Sequence, residues 1–230
     1  MPRSARLTPG GLVYHVLNRG VGRMTLFEKK ADYQAFECVL AETLQKHPRK
    51  HPGVQLLTYC LMPNHWHLVV RPKGDDDLGP FMQRLTLTHT RRWQQHRHCH
   101  GSGHVYQGRY KSFPVESDEH LLTVIRYVER NAMRARLIKR AEDWRWCGLW
   151  VRRYGSDEQR AMLSPWPVPE PRHWLRTVNA ALNERALEAL RLCVNRGRPF
   201  GSAGWTERVT KALGLEHTFR DRGRPRRMDQ

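Results

Sequence analysis

At 230 residues, with 40 Lys and Arg against 22 Asp and Glu, the chain carries a formal charge of +18. A field of that sign gathers polyanions, and 8 Trp and 7 Tyr offer rings for stacking, so composition favours nucleic acid over a membrane surface. No run reaches the roughly 20 apolar residues that cross a bilayer, and MPRSARLTPGG lacks the apolar centre of a secretory signal, so the expected setting is cytoplasmic with no membrane partner.

In chain order, GLVYHVLNRG (11–20) reads as a strand ending at a glycine turn, and EKKADYQAFECVLAETLQKH (28–47) has the spacing of an amphipathic helix. VQLLTYCLM (54–62) and HWHLVVR (65–71) read as strands joined by Pro63-Asn64, a turn so short that they must pair antiparallel. A helix is expected over about Leu78 to Gln95 and a strand near RYKSFPVE (109–116). A third helix, SDEHLLTVIRYVERNAMRARLIKR (117–140), is expected to be capped by Ser117, with Asp118 and Glu119 at its positive end. That order predicts an α+β fold, an antiparallel ferredoxin-like or RRM-like sheet with covering helices. Four prolines in SPWPVPEPRHW (164–174) suggest a division into a domain over 1–155, an extended linker over 156–174 and a small basic helical extension over 175–230. The extension has helices expected near 183–194 and 206–213, and Arg-Gly-Arg-Pro runs at 196–199 and 222–225. The five cysteines are scattered without a Cys-x-x-Cys pair, which suggests neither a disulfide framework nor a thiolate zinc site.

Chemistry concentrates in LMPNHWHLVVRP (61–72). On a strand, His65, His67 and Val69 face one way and Trp66, Leu68 and Val70 the other. If the Trp, Leu and Val face is buried against helices, the two imidazoles lie side by side on the opposite face, close enough to share one metal ion. Alone, such a pair is more often a hydrogen-bonded surface couple. On the third helix, Tyr127 and Asn131 stand four apart and so share a face; above the histidines, Asn131 offers an oxygen ligand and Tyr127 a nucleophile. Packing at the core edge is the ordinary alternative for such a tyrosine. Arg126, Arg130 and Arg134 around it suit a phosphate backbone.

These segments, with YHVLNRGVGRMTLF (14–27), HVYQGRYKSFPV (104–115), RYVERNAMRA (126–135) and WRWCGLW (144–150), resemble the single-tyrosine HUH transposases of insertion sequences, and most closely their REP-associated branch. The resemblance implies a metal-dependent endonuclease and strand transferase acting on single-stranded DNA. Its substrate would be short REP-like palindromes folded as hairpins, cut through a covalent 5′-phosphotyrosine. It makes His65 and His67 the metal ligands, Asn131 the third ligand, Tyr127 the nucleophile and Mg²⁺ or Mn²⁺ the working ion; relatives act as monomers or homodimers. Two departures stand out. Ala132 follows Asn131 where the family usually has proline, which lets the helix continue, and Cys147-Gly148 replaces a pair of serines.

Further DNA contacts are expected from Arg19 and Arg23 in NRGVGR, from Arg109 and Lys111, and from Arg224 and Arg226 in RGRPRR, which looks like an AT-hook core. The cluster His96, His98, Cys99, His100 and His104 reads as an exposed loop rather than a second metal site. A non-catalytic nucleic-acid-binding protein on the same scaffold and a replication or conjugation nickase are the competing readings.

Overall fold

The computed structural model describes residues 7–45, 53–99, 101 and 103–220. Strand β1 (Val13–Arg19), helix α1 (Lys30–Gln45), strands β2 (Val54–Met62) and β3 (His65–Pro72), helix α2 (Leu78–His96) and strand β4 (Lys111–Val115) follow one another. They build one antiparallel sheet of order β2-β3-β1-β4, the ferredoxin-like arrangement.

Both faces of the sheet are covered. Tyr14, Val16, Trp66, Leu68 and Val70 pack against Phe36, Val39 and Leu40 of α1 and Phe81, Met82 and Leu85 of α2. On the other face, Val13, Val69, Phe113 and Val115 pack under Leu121, Val124, Ile125 and Val128 of α3 (Glu119–Glu129). Apolar side chains are therefore required on alternate and intervening positions alike, which explains why β3 reads as a nearly continuous apolar run.

The third helix differs from its expected form at both ends. Asp118, not Ser117, caps it, its carboxylate accepting from the His120 amide at 2.8 Å. It does not run to 140: a turn at Arg130 interrupts it, and α4 (Asn131–Arg134) is one short turn more. Arg136 then takes a left-handed conformation, φ 60°, while the Leu137 amide donates to the Ala132 carbonyl at 3.0 Å and the Arg136 amide to that of Met133 at 2.9 Å. This pair of bonds is a Schellman stop, and it ends the helix without the proline missing at 132.

The edges of the sheet are closed by the remaining chain. Beside β2, the Leu61 amide donates to the Trp146 carbonyl at 2.9 Å, and α5 (Gly148–Tyr154) starts at a glycine because a Cβ there would lie 2.3 Å from Thr58 Oγ1. After α6 (Asp157–Ala161), the Ser164 amide donates to Leu56 O at 2.7 Å and the Trp166 indole to Leu57 O at 3.0 Å. The proline-rich stretch is thus a packed strap along β2 rather than a free tether. Helices α7 (Trp174–Asn179), α8 (Glu184–Arg196) and α9 (Ala203–Leu213) follow. Beside β4, Phe200 exchanges backbone hydrogen bonds of 2.9 Å with Glu116 and Pro114. These contacts cover part of each edge, where unpaired amides would otherwise be open to other chains. No helix among the described residues is long and apolar enough to cross a membrane.

Glu129 ties the strap to the core. It is fully buried, accepts from Thr58 Oγ1 at 2.8 Å and from the Trp174 indole at 2.9 Å, and burial pushes its carboxyl up to about 7. Between its ordinary value of 4.5 and about 7 the folded state holds the proton that the unfolded state has lost, so this group's contribution falls as pH rises through that window. Glu129→Gln is expected to remove that dependence. Urea unfolding of variant and native protein from pH 5 to pH 8 should show their difference shifting in the variant's favour as pH rises; a constant difference would mean that Glu129 does not titrate there.

Candidate active site

Adjacent strands bring three imidazoles onto the face beneath α3. Arg19 of β1 lies opposite His65 and Leu17 opposite His67, so alternation along β1 sends His15 to the same side. The His65 and His67 ring centroids are 5.0 Å apart with planes at 81°, while His15 stacks on His67 at 5.0 Å and 10°. Each of the paired histidines spends Nδ1 on a neighbour: His65 on Asn64 Oδ1 at 2.6 Å, His67 on His15 Nε2 at 2.9 Å. Both Nε2 atoms are left for something else.

The bond between His15 and His67 holds one proton and so couples two tautomers. If His67 donates from Nδ1, its Nε2 carries a lone pair and His15 keeps its own proton on Nδ1. If His15 donates, His67 Nε2 is protonated and cannot bind a cation. His15 Nδ1 is buried without a partner in either case. Burial lowers all three rings: His15 to about 3, His65 to about 4 with help from the Arg19 and Arg134 charges, and His67 well below the usual range. They are neutral at neutral pH, the form that coordinates metals.

Tyr127 of α3 stands against these rings, its centroid 6.0 Å from His67 and 6.2 Å from His15, nearly perpendicular to both. It is 6% exposed, and the Arg134 guanidinium lies 4.3 Å above its ring. Asn131 opens α4, after the turn at Arg130 that interrupts the expected continuous helix. Its oxygen is engaged, however, accepting from Arg134 Nη2 at 2.7 Å, while its buried Nδ2 has no partner. Of the three expected ligands, only the two histidines present a donor atom without a protein partner; the Asn131 oxygen has one lone pair left. This nitrogen and oxygen set suits a divalent ion. The Arg19 and Arg134 charges that lower His65 would also oppose a lone cation beside it.

The other expected contacts divide. Arg19 lies on the histidine face with its Nε buried and unpartnered, and Arg23, Arg109 and Lys111 are exposed. Arg126 and Arg130 face away from this role: Arg126 donates to Ala180 O and Ala181 O at 2.8 and 2.9 Å, and Arg130 to Val178 O at 3.3 Å and Asn179 O at 2.5 Å. They hold the end of α7 to α3. Arg224 and Arg226 lie outside the described residues. So does His100, and the described members of its loop cluster form no metal-sized group. Among the described residues the one such group is Glu116, Asp118 and His120. Its carboxylates are already used, Glu116 on Ser202 N and Oγ at 2.6 and 3.2 Å and Asp118 on the α3 cap. Sequence reasoning missed His15, although alternation along the expected first strand was enough to place it.

No curated protein matches this chain. The solved structure of the REP-associated tyrosine transposase bound to a REP hairpin superposes with a TM-score of 0.52 at 16% identity, covering 69% of this chain and 90% of that one. A crystal structure of a transposase candidate from Deinococcus radiodurans gives a TM-score of 0.39 at 17% identity, covering 57% and 97%. Residues 10–131, more than half the chain and the span that carries the sheet, the three histidines and Tyr127, match the family model described as Transposase IS200 like, and the chain belongs to that family.

Proposed function

We propose that the protein is a metal-dependent strand transferase that cuts single-stranded DNA at hairpin-forming repeats through Tyr127. One observation carries the reading: the phenol ring of α3 stands 6.0 Å from the His67 ring, in a site flanked by Arg19 and Arg134. The phenol oxygen attacks a backbone phosphorus, the phosphorus to 3′-oxygen bond breaks, and the departing oxygen takes up a proton while the phenol loses its own. The phosphotyrosine keeps the energy of the broken ester, so a later 3′-hydroxyl can rejoin the strand by the reverse exchange. Arg134, already over the ring, and Arg19 would hold the nonbridging oxygens. His65, His67 and the Asn131 oxygen would hold Mg²⁺ or Mn²⁺, which when bound stabilises charge on the phosphate. The substrate class follows from the REP hairpin in the structural neighbour and from the need for an unpaired backbone at a recessed phenol.

Incubation with a labelled hairpin oligonucleotide and Mn²⁺ is expected to give a denaturation-resistant adduct that Tyr127→Phe abolishes while hairpin affinity persists. An adduct formed by the variant would move the nucleophile elsewhere, and absence of one from the native protein on every hairpin tried would favour a binding protein.

His15 is the positioning residue of this site, since only its acceptance of the His67 proton leaves Nε2 free. His15→Phe is expected to weaken Mn²⁺ binding by about 10- to 100-fold, as loss of such outer partners does. Titration of the folded variant with Mn²⁺, followed by paramagnetic resonance, checks it. Unchanged affinity would show that His67 finds its tautomer without help.

A further inference from the structure

Scattered along the chain, two of the five cysteines meet in the fold. Cys147, one of the two departures from the family pattern, faces Cys60 across an antiparallel bridge between β2 and the segment leading into α5. The Leu61 amide donates to the Trp146 carbonyl at 2.9 Å, so the bonds of this bridge flank the cysteine pair rather than join it. Such a pair has its α-carbons about 4.5 Å apart and both side chains on one face. A disulfide spans roughly 4.4 to 6.8 Å between α-carbons, so the backbone is already placed for one. Both cysteines are free and buried, and among the described residues no other two face each other across a bridge.

Neither thiol serves the histidine site. Cys147 Sγ donates to Glu129 O at 3.9 Å and Cys60 Sγ to Met62 Sδ at 3.8 Å, weak bonds that are lost at little cost. The segment itself protects the pair. The Trp144 indole holds it down by donating to Leu61 O at 2.9 Å, and burial pushes the Cys147 thiol well up, which keeps it inert in the closed fold. A segment bonded along a sheet edge can still open locally, without global unfolding.

We propose that Cys60 and Cys147 form a reversible disulfide when residues 144–147 lift from β2 in the presence of a peroxide, and that the bond then fastens this edge beneath the end of α3. One sulfur attacks a peroxide oxygen, the O–O bond breaks, and the sulfur becomes a sulfenic acid as water departs with the thiol proton. The second sulfur displaces that hydroxyl as water, giving up its own proton to it, and the S–S bond closes. Two thiols and one hydrogen peroxide thus give one disulfide and two waters; a small dithiol reverses the bond by exchange. Cys60 faces His67 in register, so the bond lies one strand from the imidazoles. It closes a long loop and so restrains the unfolded chain strongly.

The full chain, reduced and then treated with hydrogen peroxide, is alkylated and its peptides are mapped by mass. A linked peptide joining Cys60 to Cys147 is expected, lost again on treatment with dithiothreitol, and the urea midpoint of the oxidised form should rise. Links through Cys38 or Cys99 alone, or sulfinic acid at Cys60 and Cys147 without a link, overturn the proposal, as does an unchanged midpoint. Cys147→Ser, close in size, is expected to give neither link nor midpoint shift; a shift that survives in it also overturns the assignment. Cys60→Ala serves the same test where serine at 147 disturbs the fold. Trp144→Phe removes the indole bond to Leu61 O and is expected to speed linkage about fivefold, the worth of one net hydrogen bond. An unchanged rate would overturn the opening step.

Discussion

Everything at the site depends on α3 covering the second face of the sheet. A four-stranded sheet with helices on one face alone would leave His15, His65 and His67 in water, where their rings would titrate near neutral pH and hold no fixed geometry. Burial under Leu121, Val124, Ile125 and Val128 takes that freedom away. It keeps the imidazoles neutral, forces His67 to find a partner for Nδ1, and seats Tyr127 edge-on against two of the rings. One packing event fixes both the imidazole pair and the position of Tyr127, which is why a single short helix after β4 separates this arrangement from a bare ferredoxin-like sheet.

The extension is what holds α3 down. Glu129 faces Thr58 and Trp174, and Arg126 and Arg130 clasp the last carbonyls of α7, so the side of the helix away from the site is tied to chain more than 40 residues later. Guanidiniums suit those carbonyls because a helix end concentrates unpaired acceptors with partial negative charge. The arginines that a sequence reading assigns to DNA are divided by this logic. Arg134 turns toward the phenol and its neighbours turn toward protein, a distinction of helix face that only the helix's packing partners decide.

How much was legible follows from where the signal sits. Strand β2 was readable to the residue and α2 to within one, because alternation and helical spacing are local properties and both elements are bounded by strong punctuation. The common facing of His65 and His67 was readable for the same reason. The stop after Arg134 was not, because a left-handed arginine at 136 carries no glycine signal and the missing proline pointed the wrong way. Nor was the strap: prolines mark extended chain, but whether it floats or packs depends on Trp166 and Trp174 meeting Leu57 O and Glu129 from over 40 residues away. His15 lay between, its facing deducible but its bond to His67 visible only once β1 and β3 are in register.

Arg134 links the chemistry of the strand to that of the ion. As folded it gives one nitrogen to the Asn131 oxygen and lays its plane over Tyr127. A phosphate oxygen is a stronger acceptor for a guanidinium than a neutral amide is, because both partners of that bond are charged. On the proposed reading, a backbone phosphate arriving beside the phenol competes with Asn131 for Arg134, and whatever the amide oxygen loses there it regains as freedom to face a cation. Strand and ion would then each ease the binding of the other, and by linkage the coupling must be equal in both directions. On that reading the bond between Asn131 and Arg134 makes an ion bind more tightly with DNA in place than without it.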